Sequence, residues 1–330
     1  MAQMRLALAQ VNPTVGDLSG NATTVREWTA KAAQRGAHLV AFPEMMLTGY
    51  PVEDLALRSS FVEASRSALT ELAKALAQDG HGDLPVVVGY LDEAPYAPAK
   101  AVGEATRPLP QNCAAVLHQG QVKARYAKHH LPNYGVFDEF RIFAPGKDLT
   151  IVRIGDVDVA IAICEDLWRE GGPVAQTRQA GAELLLVING SPYEQDKDDV
   201  RYELVARRAA QAGCTLAYLN MVGGQDELVF DGDSLVVNAA GEVLARGPQF
   251  EQDLLVVDLD LEQSTADAAD PSPDGVVHVT ISDTPAPAYA AQPAAVAARL
   301  DPVGEVYRAV QLGLGDYVRK NGFGSVLLGV

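Results

Sequence analysis

Three cysteines in 330 residues, Cys113, Cys164 and Cys214, are too few and too scattered for a disulfide framework, and no pair has the close spacing of a zinc knuckle. No apolar run nears the roughly 20 residues that span a bilayer. The opening, MAQMRLALAQVNPTVGD, shows neither a charged leader nor a small-residue cleavage site. Basic residues are scarce: 26 Lys and Arg against 43 Asp and Glu leave a net charge of −17 and a pI near 4.7. Such a surface repels phosphate backbones and anionic lipid, so neither nucleic acid nor a membrane is an expected partner, and a cytoplasmic location is expected. There is no phosphate-cradling glycine loop and no His/Cys/Asp cluster with ligand spacing, so no metal and no organic cofactor is expected in this chain.

What is present is apolar material, 48% hydrophobic against 21% charged residues, enough for a sizeable core in one large or two modest domains. Short β-rich runs alternate with amphipathic stretches, which predicts α/β layers. Strands are expected at Leu6–Val11, Leu39–Phe42, Val86–Val88, Val157–Cys164, Leu184–Asn189 and Thr215–Asn220. Hairpins are expected at Cys113–His118 with Gln121–Tyr126 and at Leu235–Asn238 with Glu242–Arg246. Helices are expected after an Asn21 N-cap, over 60–78, near 172–181 and from Asp196 to Gly213. Residues 251–300 then hold nine acidic side chains and one basic one, Arg299, with an Ala/Pro-rich run, which reads as a solvated tether or wrapping arm. Asp301 and Pro302 open a further helix, and SVLLGV reads as the first strand of a domain that is cut short.

In open α/β folds chemistry gathers where strands end, because loops there aim side chains into a shared crevice. Three predicted strand ends carry a reactive group: Glu44 after LVAFP, Lys128 after QVKARYA and Cys164 after VAIAI. A turn starting at Cys164 would point backbone N–H groups at its sulfur, Glu44 would serve as base and then acid, and Lys128 would supply fixed positive charge. Each has a plainer reading in isolation: a small buried hydrophobe, an Arg-paired carboxylate and a solvated lysine. His129 and His130 invite a Cys/His dyad, but neighbours on a strand face opposite ways, so at most one could join Cys164. Cys113 and Cys214 keep a packing role.

Taken together, AFPEMMLTGY around Glu44, KHHLPNYGVFDEFRIF from Lys128 and ICEDLW around Cys164 resemble the nitrilase, or carbon-nitrogen hydrolase, superfamily. That resemblance implies a four-layer αββα sandwich with Glu44, Lys128 and Cys164 as its catalytic triad. A narrower resemblance, carried by LALAQVNPTVGDLSGN, LPNYGVFDE, INGSPYEQDK and NMVGGQDELVFDGDS, is to the glutaminase domains of glutamine-dependent NAD+ synthetases. EVYRAVQLGLGDYVRKNGFGSVLLG resembles the opening helix and strand of their synthetase domain.

The narrower resemblance implies a glutaminase domain at 1–262, a linker at 263–300 and the start of a synthetase domain at 301–330, ending before the loop that holds ATP pyrophosphate. It implies L-glutamine as substrate, with Tyr134, Ser191 and Lys197 holding its main-chain amine and carboxylate. Glu139 is implied as a supporting active-site carboxylate, orienting Lys128 and tuning Glu44. ATP and Mg are implied only for the absent synthetase domain, which would use the ammonia on an adenylylated nicotinate dinucleotide, and a homo-oligomer is implied. Two alternatives stay open: a stand-alone amidase or nitrilase acting on another compound, and a truncated assembly module.

Overall fold

The computed structural model describes residues 1–95, 109–264, 273–285 and 289–329. The first half gives β1 (Ala2–Gln10), α1 (Leu18–Gln34), β2 (Leu39–Ala41), α2 (Ser59–Gln78), β3 (Val86–Glu93), β4 (Pro110–His118), β5 (Gln121–Ala127) and the short α3 (Glu139–Ile142). The second gives β6 (Leu149–Ile154), β7 (Val157–Ile163), the short α4 (Glu165–Trp168), α5 (Gly172–Ala180), β8 (Leu184–Asn189), α6 (Lys197–Ala212) and β9 (Thr215–Asn220). There follow β10 (Val222–Gln225), β11 (Leu228–Asp231), β12 (Leu235–Val237), β13 (Val243–Arg246), β14 (Asp253–Leu261), β15 (Val276–Ser282) and α7 (Pro302–Lys320).

The strands make two large mixed sheets, ordered β14-β1-β2-β3-β4-β5 and β13-β12-β9-β8-β7-β6-β15, with β10 and β11 as a separate hairpin. Strand alternation sets the layers. Leu6 and Leu8 point into the core between the sheets, where they share a cluster with Ile161, Ile163, Leu186 and Ile188, while Ala7 and Ala9 face Leu69, Leu72 and Leu76 under α1 and α2. The parallel strands β7, β8 and β9 are buried on both faces, which explains the unbroken apolar run of LLLVI. Helices α5 and α6 cover the far side. The result is the expected αββα order. Among the described residues no helix is long and apolar enough to cross a membrane.

Three expectations need amendment. Asp17, not Asn21, caps α1, accepting from the Gly20 N–H at 2.9 Å. Asn21 lies inside the helix, where its buried amide bonds Thr14 and Leu47 and fixes the entry loop. The acidic stretch is not all tether: β14 pairs antiparallel with β1, and β15 adds a parallel edge strand beside β6. Of the expected linker, residues 265–272 and 286–288 lie outside the described residues. Helix α7 forms with Asp301 as its cap, but residues 325–329 make no strand. Val326, Leu327 and Leu328 stand open to solvent, and a strand without a neighbour cannot satisfy its backbone groups. Val330 lies outside the described residues.

Helix α7 rests on the β10–β11 hairpin. The Asp316 carboxylate accepts from Asn12 Nδ2 and from the Gly224 N–H, both at 2.7 Å, and Lys320 Nζ donates to the carbonyls of Pro13 and Gly224.

Candidate active site

Glu44 follows β2 in a turn that crosses over β3. The crossing is possible because residue 89 is glycine: a Cβ there would lie 2.3 Å from the Met45 nitrogen and 2.4 Å from the Pro43 oxygen. The turn is pinned to β3 by Gly89 N–H to Pro43 O and Leu47 N–H to Gly89 O. Lys128 extends β5, its N–H donating to Asn112 O on β4 at 2.9 Å. Cys164 extends β7, its N–H donating to Ile188 O, and then breaks direction with φ 45° and ψ −98° to start α4. A non-glycine residue held there stores roughly 1–3 kcal/mol of strain, a cost characteristic of functional turns.

These ends converge. Lys128 Nζ lies 2.8 Å from Glu44 Oε1 and 2.8 Å from Glu139 Oε2, so one ammonium is shared by two carboxylates. Asn112 Nδ2 also donates to Glu44 Oε1 at 2.6 Å, and the Gly190 N–H donates to Oε2 at 2.7 Å. Tyr50 donates to Glu139 Oε1 at 2.9 Å. Glu44, Lys128, Glu139 and Cys164 are all buried, Cys164 being 5% exposed.

Burial sets the resting protonation. It pushes the Cys164 thiol well above its ordinary range, and Glu44 pushes the same way, against Lys128. Burial opposes the Lys128 charge, but Glu139 and Glu44 outweigh it and hold the ammonium protonated. Burial lifts Glu139 to about 7, against the pull of Lys128. The resting site is therefore a neutral thiol beside a lysine cation. Cys113 and Cys214 are buried too, their thiols pushed up to about 12 chiefly by burial, which agrees with packing roles.

Cys164 forms part of the wall of a cavity of about 420 Å³ lined also by Tyr134, Glu165, Trp168, Ser191 and Lys197. All seven residues singled out in the sequence thus fall in one place: three around the shared ammonium, Cys164 beside them, and three in the cavity wall. Tyr134 is 49% exposed and donates to Glu165 Oε2 at 2.7 Å. Ser191 is fixed by Asn220, which accepts from its N–H and donates to its carbonyl. Lys197 donates to Glu194 Oε1 at 2.7 Å at the cavity edge.

Other residues escaped the sequence reading. Glu165 puts a buried carboxylate in the cavity wall. Asp166, fully buried, accepts from Tyr126 Oη and from the N–H groups of His129, His130 and Ile163, binding the Lys128 segment to the Cys164 turn. Both stand in ICEDLW next to the cysteine, a position that could have flagged them. Asn112 sits in a buried strand and gave no signal. Among the described residues neither His129 nor His130 hydrogen-bonds Cys164, and both backbones serve Asp166 instead.

With this geometry in hand, comparison with known proteins gives the class. The profile of the carbon-nitrogen hydrolase family matches residues 5–269, and the chain belongs to that family. Within it, the chain is 38% identical to a glutamine-dependent NAD+ synthetase of Thermotoga maritima, covering 100% of this chain and 56% of that protein. The solved structure of the glutamine-dependent NAD+ synthetase from Acinetobacter baumannii, in complex with ADP, superposes with a TM-score of 0.78 at 30% identity, over 98% of this chain and 53% of that one. An amidase from Nesterenkonia sp. superposes with a TM-score of 0.64 at 29% identity, over 78% of this chain and 90% of that one. The chain spans about half the length of the curated relatives it matches.

Proposed function

We propose that this chain hydrolyses the side-chain amide of L-glutamine. The observation that carries the reading is the cavity at Cys164. Its wall offers a carboxylate, Glu165, and an ammonium, Lys197, for the amine and carboxylate of a free amino acid, with the nucleophile, base and cation network adjoining. Tyr134 and Ser191 complete the seat.

Glu44 takes the Cys164 proton as the sulfur attacks the amide carbon, forming a C–S bond. Negative charge moves to the amide oxygen, where Lys128 and the backbone N–H of Glu165 receive it. Glu44 returns the proton to the amide nitrogen, the C–N bond breaks, ammonia leaves and a thioester remains. Water, deprotonated by Glu44, then attacks the thioester carbon; the C–S bond breaks, the thiol is reprotonated and glutamate is released. Glu139 holds Lys128 in place, and burial keeps bulk water from competing.

The ammonia would feed an ATP- and Mg-dependent amidation of deamido-NAD+ in the part of the relatives that this chain does not span. Supporting that reading, α7 leaves Val303, Val306, Val310 and Leu314 exposed along one side, as expected of a helix that packs against a further domain.

Glutamate release from glutamine by the purified chain tests the proposal. Release that disappears in Cys164→Ala while the circular dichroism spectrum is retained supports it; a wild type inert to glutamine but active on simple aliphatic amides would favour the second reading, an amidase like the Nesterenkonia protein.

A further inference from the structure

Glu44 is held by more than Lys128. Its Oε1 receives two donors, Lys128 Nζ and Asn112 Nδ2, and its Oε2 receives the Gly190 N–H. Asn112 is buried in β4, two strands away from β2 and opposite Leu91 on the intervening β3, and meets Glu44 where the turn after β2 crosses over β3 at Gly89. The same residue's carbonyl accepts the Lys128 N–H, so one strand position sets both the base and the cation. The other half of its amide, Oδ1, is buried with no hydrogen-bond partner. A buried amide with one half unpaired calls for an explanation, and the 2.6 Å contact of the other half with Glu44 supplies one.

Resting on the proposed hydrolysis, we infer that Asn112 is a positioning residue for the base: it holds the Glu44 carboxylate with Oε1 turned to Lys128, in the orientation from which it takes the thiol proton. The other titratable groups facing this carboxylate are Lys128 at the end of β5, Glu139 on α3, Tyr50 in the loop after β2 and Cys164 at the end of β7. Lys128 is already shared with Glu139, and Tyr50 is bonded to Glu139. Asn112 and the Gly190 N–H are thus the neutral donors Glu44 does not share with Glu139. When Glu44 takes the thiol proton, the Nδ2 bond weakens, and it is restored when the proton passes to the leaving nitrogen.

The test uses Asn112→Leu and the same-sized Asn112→Asp, which puts a carboxylate against Glu44 in place of the donor. For each, the pH dependence of kcat/KM for glutamine is compared with wild type. In parallel, the rate of Cys164 alkylation by iodoacetamide against pH is followed by mass spectrometry, a readout that does not depend on glutamine turnover. In Asn112→Leu the acid limb of both profiles is expected to move up by about one pH unit, with kcat down about tenfold at neutral pH and KM little changed. In Asn112→Asp the limb moves further. Profiles that keep their wild-type limbs in the variants, with activity lowered equally at every pH, overturn the inference and leave Asn112 a packing residue. A wild type that releases no glutamate overturns the glutaminase reading instead, and the alkylation profiles still decide the role of Asn112.

Discussion

Two clusters of buried charge lie near the cavity at Cys164, and they are built differently. Around Lys128, one cation serves two carboxylates, Glu44 and Glu139, beside a thiol whose ionisation both oppose. Behind the Ser191 loop, Arg201 meets Asp231 through both terminal nitrogens at 2.9 and 3.0 Å, Arg246 meets Asp233 at 2.6 Å, and Asn220 ties Asp231 to Ser191. There, two cations face two anions, Arg201 and Asp231 in bidentate geometry. The first cluster has one cation for two carboxylates; the second pairs its charges one to one and holds a loop still. Charge balance, more than burial, separates a reactive network from a structural one in this fold.

Removing the proposed nucleophile isolates the first cluster most sharply. Cys164→Ala is expected to cut glutamate release by about 10³-fold or more while the melting temperature stays within a few degrees, as activity assay and thermal melt would show. Lys128→Met should abolish turnover and also destabilise the fold by about 3–5 kcal/mol, because two carboxylates are left buried without their cation. Its pH dependence has a definite sign. Glu139 in the folded protein is lifted to about 7, above its ordinary 4.5, so its contribution to stability is fully present below about 4.5 and is lost as the pH rises through about 7. The variant should therefore fall furthest behind wild type at pH 8 and recover at pH 5.5 in urea unfolding.

Arg201→Met breaks the second cluster. About 3–5 kcal/mol of stability should go with it, and the protein that remains folded should show a raised KM for glutamine as the Ser191 loop loosens. Lys197→Ala probes recognition alone. It should raise KM on the order of tenfold, the loss of one charge-assisted bond, with kcat within about twofold; a fall in kcat at unchanged KM would place Lys197 outside the substrate seat. The smallest effect is expected at the sole basic residue of the acidic arm. Arg299 Nε bonds Asp198 at 2.7 Å in the first turn of α6, next to Lys197. Arg299→Ala should cost under about 1 kcal/mol, since the pair is partly solvated, and raise KM only a few-fold.

Much of this was legible in the sequence because the chemistry sits where periodicity breaks. Glu44 and Cys164 each end an apolar run and Lys128 ends an alternating strand, and that position marks a residue before its partners are known. Asn112 could not be read that way, since inside a two-face-buried strand a polar residue carries no sign of its distant partner 68 positions earlier. The strands β14 and β15 were missed for another reason. DLLVVDLDL alternates well, but it lies on the border of an acidic, Ala/Pro-rich stretch whose composition argued for tether, and composition does not register a pairing with β1 some 250 residues upstream. SVLLGV failed in the opposite direction: strand propensity was present, but no neighbouring strand was there to pair with it.

The bare α-carbon of Gly89 has a further bearing on how such a site can be altered. Substituting even alanine drives a methyl into the backbone that carries the proton acceptor, so a mutagenesis campaign would score position 89 as intolerant although nothing there touches a reacting atom. Selection for a well-folded sheet and selection for turnover bear on the same hydrogen, and neither can relax without the other.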